Sequence, residues 1–296
     1  MFNWGSELGA VKIMLQSRLK SIVLKYLPAR ILQNCKRIYY LKKLRQATEI
    51  PEPDLRVARA WVRPGDTVLD LGANFGLYSI ALAEKTGHTG KVYSFEPIPA
   101  TFELLSANVR KLGYTNISLI EAAISDRAGT VKMEIPNYQS GGQNFYEAHI
   151  VSRPRLYQEP KEEDRSSLQR IDVACLTIDQ LIRTYSIAKV DFIKCDVEGH
   201  ERFCLQGASE MLQSFRPVWL IEVSGNPDSP NSSAHELLHS MHQLGYQVYL
   251  FDGEKLRLRQ KGDRSTNYFF FRNEHLSRLE PEWFAENDQK SQSRAA

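Results

Sequence analysis

The stretch Val68-Leu-Asp-Leu-Gly-Ala-Asn-Phe-Gly-Leu-Tyr restricts the possible folds more than any other part of the chain. An apolar run ends in an acid and enters a turn with glycines at 72 and 76. It then continues with helical texture over Leu77–Lys85. A strand that passes through a glycine turn into a helix is the opening unit of an open α/β sheet. The turn stands at the strand's carboxyl end, where such sheets bind ligands. Further pairs follow: a strand at Lys91–Pro97, then a helix with Phe102, Leu105, Val109 and Leu112 on one face. Strands are predicted at Ile117–Ile124, Thr130–Ile135, Val190–Asp196 and Val218–Val223, and a helix at Ala234–Leu244. Two last strands, Gln247–Phe251 and Asn267–Phe271, flank a turn region rich in glycine and charge and read as an antiparallel edge. Repeated βα units imply an α/β fold with a doubly wound, mostly parallel sheet and helices on both faces.

The turn also has a chemical character. Its glycines are spaced GxxxG; Asn74 and Leu77 stand where the dinucleotide fingerprint GxGxxG requires glycine. Asp70 ends the strand just before the turn. Its carboxylate would repel a diphosphate and attract a sulfonium amino acid that carries an ammonium. Glu96, twenty positions after Gly76, closes the second strand, where a carboxylate can accept two hydrogen bonds from ribose hydroxyls. These features point to S-adenosylmethionine and away from a nicotinamide cofactor.

At the far strand ends stand further acids. Asp196 closes the fourth core strand in Ile193-Lys-Cys-Asp-Val-Glu-Gly-His-Glu, Glu198 follows it, and Glu222 ends the fifth. Burying three carboxylates without partners is costly, so their meeting at one edge points to function. Methyl transfer from a sulfonium is an in-line displacement that depends on placing the acceptor. A neutral alcohol must also shed a proton. Asp196 is therefore expected to orient or deprotonate the acceptor, with Glu198 and Glu222 holding it and His200 as an outside candidate. Glu198 could instead cap the helix that starts near His200. No metal is expected, because no histidine partners these acids with clear geometry.

The segments DLGANFGLYS, SFEP, EAAISD, FIKCDVEGHE, IEV and NYFF, in that order, resemble the FkbM family of methyltransferases over about residues 65–272. The resemblance implies a class I methyltransferase (Rossmann-like) fold, with a seven-stranded sheet whose last strand is antiparallel. It implies cofactor contacts by Asp70, Gly72, Asn74, Gly76 and Glu96, with Pro97 beside the ribose and Ala123 and Ile124 near the adenine. It also implies O-methylation of a hydroxyl on a sugar, glycan or natural product. A nitrogen or carboxyl acceptor is the alternative, and a nicotinamide-dependent oxidoreductase a more distant one. The Asn/Asp-Pro-Pro-aromatic motif of enzymes that methylate base amines is absent.

Charge divides the chain. Residues 1–50 hold ten Lys and Arg against two acids, so the total of +3 leaves −5 for the remainder. An acidic body argues against a broad nucleic-acid footprint. The basic segment 8–46 reads as a helix, kinked near Pro28, that either touches an anionic membrane surface or packs on the body or a second subunit. The expected division is a helical extension over 1–50, a methyltransferase domain over 51–272 and a polar tail over 273–296. Within the domain, 137–170 is polar and irregular, as a lid or mobile insertion would be, and Tyr138, Phe145, Tyr146 and Tyr157 could close over an acceptor. No apolar run of about 18 residues is present, and the start does not read as a secretory signal. Four cysteines without a CxxC pair read as buried thiols of a cytoplasmic protein. His235-Glu-Leu-Leu-His239 spells the zinc-protease signature HExxH. At roughly 100° per residue, however, its histidines and His242 lie opposite Leu237, Leu238, Met241 and Leu244 and are expected to face solvent.

Overall fold

Strand β1 (Thr67–Leu71) is buried over four of its five residues, as a strand covered by helices on both faces must be. The computed structural model that contains it describes residues 29–45, 52–136, 148–150 and 169–285. Around β1 lie β2 (Lys91–Phe95), β3 (Ile117–Ile120), β8 (Phe192–Cys195), β9 (Val218–Glu222), β10 (Gln247–Phe251), β11 (Leu256–Leu258) and β12 (Asn267–Phe271). Their order across the sheet is β11-β10-β12-β9-β8-β1-β2-β3. The chain winds outward from β1 through β2 to β3 and later returns to β8 on the other side of β1, so the order reverses between β1 and β8. In doubly wound sheets that reversal opens the ligand crevice.

Register brings the strand ends together. Leu71 pairs with Phe95 and with Cys195, and Cys195 pairs with Ile221. The next residues along each strand, Gly72, Glu96, Asp196 and Glu222, therefore share one edge. The helices that cover the sheet are α2 (Pro53–Trp61), α3 (Leu77–Thr86), α4 (Pro99–Leu112), α5 (Ile178–Thr184), α6 (Glu201–Gln206), α7 (Ser209–Ser214), α8 (Ser233–Gln243) and α9 (Asn273–Leu276). On α4 the predicted stripe holds: Leu105 and Val109 are buried, and Phe102 and Leu112 pack partly against the core. Trp219, Phe269 and Phe270 are fully buried between the layers. Each such side chain contributes about 2–3 kcal/mol of burial energy.

Several sequence expectations are corrected. The main sheet has eight strands, because the charged turn region contributes β11 as a hairpin partner of β10. The final predicted pair is not the edge: β12 inserts antiparallel between β9 and β10. The expected antiparallel last strand is thus present but internal, which suits the run Tyr268–Phe271, buried at every position. The predicted strand Ile117–Ile124 breaks at Glu121 and Ala122. Its end becomes β4 (Ala123–Ile124), which pairs with β7 (Gln169–Leu176) in a second sheet ordered β4-β7-β5-β6. The other members of that sheet are β5 (Gly129–Ile135) and β6 (His149–Ile150). Residues 273–285, expected as the start of a polar tail, place Leu276, Leu279 and Phe284 in the core. Leu244 is 37% exposed and leaves the apolar stripe of α8, while His239 and His242 face solvent as expected. His235 is half-buried with Nδ1 bonded to the Pro227 carbonyl.

Helix α1 (Ala29–Arg45) carries the described part of the basic segment. Leu44 is buried, and the Tyr40 ring stacks on Phe75 of the glycine turn with centroids 4.5 Å apart. Ile38 and Tyr39 point outward, 69% and 62% exposed. The lid expectation for 137–170, with its four aromatic residues, lies largely outside the described residues, as does Pro28. No helix among the described residues is long and apolar enough to cross a membrane.

Candidate active site

The turn after β1 is held by hydrogen bonds that only this backbone path permits. Gly72 has φ +78°, and a Cβ on it would lie 1.8 Å from the Asp196 carbonyl oxygen, so no side chain fits. The amides of Gly72 and Ala73 both donate to the Phe95 carbonyl, at 3.0 and 2.8 Å. This ties the turn to the end of β2. The next amide, of Asn74, donates to Glu96 Oε2 at 3.0 Å, and the Ile98 amide donates to Glu96 Oε1 at 2.9 Å. Asn74 itself adopts the left-handed region at φ 51°. Burial pushes the Glu96 carboxyl up to about 7, against the pull of those two amides. Each carboxylate oxygen has one amide donor and a lone pair to spare.

A cleft of about 210 Å³ opens at this edge. Gly72, Asn74, Glu96, Pro97, Ala123 and Ile124 line it, and so do Asp196, Glu198 and Glu222. Six of the eight predicted cofactor positions and all three predicted acceptor positions therefore share one space. The other two cofactor positions do not line it. Asp70 is fully buried beneath the turn, where its Oδ2 accepts from Ser79 Oγ at 2.5 Å. Gly76, at φ +100°, lies under Leu105, whose Cδ1 would be 2.7 Å from an added Cβ. The second sheet supplies an apolar wall through Met133 and Ile150. Nothing in the sequence foretold that wall, because it depends on a second sheet docking beside the first.

The far end is an interlocked set of charges. Asp196 and Glu222 are hydrogen-bonded to each other. Burial and the proximity of Asp196 push Glu222 up to about 9, so this pair retains a proton at neutral pH. Burial works against ionisation of Asp196, but the Lys194 ammonium outweighs it and holds the carboxyl below its ordinary value. Lys194 Nζ lies 2.9 Å from Asp196 and donates to the Gly72 carbonyl at 3.0 Å. Sequence reasoning missed Lys194. A lysine in an apolar strand, two residues before Asp196 and so on the same face, was the available signal.

Two further residues flank this set. His200 is buried outside the cleft with Nε2 2.8 Å from Ser125 Oγ. Burial lowers its pKa to about 4, which leaves it neutral. Glu201 braces the loop before α6, with its Oε1 accepting from the amides of Val197 and Gly199 at 3.2 and 3.0 Å. Ligand oxygens of Asp196, Glu198 and Glu222 come within 4.8 Å of one another. Lys194 already serves as the counter-cation of Asp196 there.

The chain is similar to known methyltransferases. Hexuronic acid methyltransferase AglP of Haloferax volcanii is 24% identical over 196 residues, which cover 66% of this chain and 70% of that protein. The 31-O-demethyl-FK506 methyltransferase FkbM of Streptomyces tacrolimicus is 29% identical over 167 residues, 50% of this chain and 62% of that one. A crystal structure of methyltransferase FkbM from Methylobacillus flagellatus KT aligns with TM-score 0.42 and 17% identity. That alignment covers 70% of this chain and 43% of the other, so the chain spans less than half of that protein. Residues 70–248 match the methyltransferase FkbM domain. Because this match runs from the end of β1 into β10, through the strand ends that form the cleft, the chain belongs to the FkbM family of S-adenosylmethionine-dependent methyltransferases.

Proposed function

We propose that this chain transfers a methyl group from S-adenosylmethionine to a hydroxyl of a sugar, glycan or natural product. The observation that carries the reading is the single cleft with Glu96 and the Gly72–Asn74 turn at one end and the Asp196–Glu222 pair at the other. The residues fit the cofactor. Glu96 has one unused lone pair on each oxygen for ribose hydroxyls, Gly72 presents bare backbone, and Ala123 and Ile124 offer an apolar seat for a base. S-adenosylmethionine supplies an electrophilic methyl group on a sulfonium.

The chain's own part is to place the acceptor and receive its proton. Asp196, the ionised member of the pair, accepts a hydrogen bond from the attacking hydroxyl and so aims an oxygen lone pair along the displacement axis. Its lowered pKa makes it a weak base, which suffices here. An alcohol oxygen that has begun to bond carbon is far more acidic than a carboxylic acid, so the proton passes to Asp196 during or after transfer. Glu222, holding its proton, donates to Asp196 and keeps that carboxylate oriented. Glu198 faces the same space and can bind a neighbouring hydroxyl.

Hexuronic acid methyltransferase AglP gives a second acceptor chemistry some support, because a hexuronic acid offers a carboxyl as well as hydroxyls. Labelled S-adenosylmethionine with free and reduced hexuronic acid glycosides separates the two. Label in an ether linkage that survives mild base supports the proposal; label released by mild base supports the carboxyl reading, and transfer to neither excludes hexuronic acids as the acceptor. A cytoplasmic protein resting on an anionic membrane is the accompanying proposal. Helix α1 contains no acid, and its exposed Ile38 and Tyr39 lie near the exposed Lys42 and Arg45. The chain is expected to co-sediment with phosphatidylserine vesicles and to lose that binding on Ile38→Asp/Tyr39→Asp.

A further inference from the structure

Asp70 and Lys194 are register partners across β1 and β8, so their side chains rise from the same face of the sheet. Asp196, two residues beyond Lys194, continues on that face. Lys194 is nearly sealed from solvent, and its ammonium reaches three groups on two different strand ends. It sits 2.9 Å from the Asp196 carboxylate, 3.0 Å from the Gly72 carbonyl and 3.9 Å from Asp70 Oδ1. The Tyr78 ring of α3 closes over it, with the centroid 5.5 Å from Nζ. Asp70 Oδ1 is fully buried with no hydrogen-bond partner, so the Lys194 ammonium is its compensating charge.

We propose that Lys194 is a positioning residue that locks the cofactor turn and the acceptor carboxylate into one fixed geometry. The proposal rests on the methyltransferase reading and deepens it. A donor methyl and an acceptor oxygen must lie in line within a fraction of an ångström. The two halves of this site, however, come from strands more than a hundred residues apart in sequence. One ammonium, bonded at once to the backbone of the turn and to the acid of the acceptor end, removes the relative freedom of those halves. Its three N–H donors on a flexible stem can reach groups that are not coplanar, which a planar guanidinium would meet less readily. Asp70 accordingly acts from below: it anchors Lys194 and does not contact the cofactor. The remaining ionisable groups around Asp196 are Glu222 on β9, Glu201 at the start of α6, Tyr78 on α3 and Glu52 just before α2. Glu198 adjoins through Glu222. All are acids or a phenol, so among these groups Lys194 alone is a cation.

The test reads both ends without needing the acceptor. Lys194→Met, Lys194→Arg and wild type, each as the entire 296-residue chain, are compared by calorimetry with S-adenosylmethionine. In parallel, carbon-13 NMR of labelled aspartate carboxyls follows their titration, and Asp196→Asn assigns the Asp196 signal. The methionine variant is expected to bind the cofactor at least about tenfold more weakly and to titrate Asp196 more than about one pH unit higher. The arginine variant is expected to keep Asp196 low, because it keeps the charge, while recovering only part of the affinity. Should Lys194→Met leave Asp70 stranded and fail to fold, Asp70→Asn/Lys194→Met removes the charge pair together and carries the same two expectations. Unchanged affinity in the methionine variant, or an unmoved Asp196 titration, would overturn the tie. Failure of the wild-type chain to bind S-adenosylmethionine would instead overturn the methyltransferase reading, and the titration would still judge Lys194.

Discussion

The backbone amide of Asn74 donates to Glu96 Oε2 at 3.0 Å, so the glycine turn after β1 is fastened to the acid that ends β2. A cofactor that takes its ribose from Glu96 therefore meets a turn already in place. Glu96→Ala removes both the ribose acceptor and this clasp. Losing two hydrogen bonds to a charged group costs about 3 kcal/mol or more, so S-adenosylmethionine binding is expected to fall by at least about a hundredfold. Isothermal calorimetry checks this, and undiminished affinity would refute the site.

Glu96 also sets a pH dependence. Its carboxyl is pushed up to about 7 by burial, and in the proposed binding mode ribose hydroxyls would donate to the ionised form. Affinity is therefore full above about 7 and is lost as pH falls, steepening toward tenfold per pH unit. Calorimetry between pH 5.5 and 8.5, roughly the span that brackets the transition, tests the sign. Tighter binding in acid would be inconsistent with an ionised Glu96.

Gly72→Ala puts a methyl group where the Asp196 carbonyl oxygen already lies, at a backbone φ of +78°. Strain and overlap together cost about 2–4 kcal/mol. The expected result is a lower melting temperature and loss of cofactor binding, read by thermal shift with and without S-adenosylmethionine. A variant with wild-type stability would mean that the turn takes another path.

Asp196→Asn keeps the shape of the side chain but exchanges one accepting oxygen for a donor and removes the proton acceptor. Turnover is expected to fall about a hundredfold while cofactor affinity stays within a few fold. Single-turnover rates at saturating S-adenosylmethionine decide the matter, and an undiminished rate excludes Asp196 as the proton's destination.

Glu222 holds its proton up to about pH 9, so at neutral pH glutamine imitates it. Glu222→Gln is expected to retain most activity at pH 7 and to lose less stability than wild type as pH rises from 4.5 toward about 9. The folded wild type keeps a proton that the unfolded chain releases above its ordinary value of 4.5, so wild-type stability declines as pH rises toward 9. The variant lacks that contribution to the slope. Parallel melting curves for the two proteins across this range would contradict the shared proton.

Because Lys194 balances Asp196, chelation is expected to leave turnover unchanged. Loss of activity in EDTA that magnesium restores would reassign the three acids to a cation.

The sequence by itself determined the winding of the parallel half of the sheet and the glycine-turn end of the cleft. Apolar strand runs, the GxxxG turn and carboxylates at strand ends are local signals, each confined to a dozen residues. A glycine at 72 is demanded by its own backbone angle as well as by its neighbours. Tertiary structure alone decided what depended on distant segments meeting. It placed β12 between β9 and β10, sent Ala123–Ile124 to a second sheet whose Met133 and Ile150 line the cleft, and buried Asp70 beneath the turn, outside the lining of the cleft. It also set Lys194 against Gly72, 122 residues earlier. Such facts escape a linear reading because side-chain periodicity tells which face a residue takes. Only strand order and register tell what waits on that face.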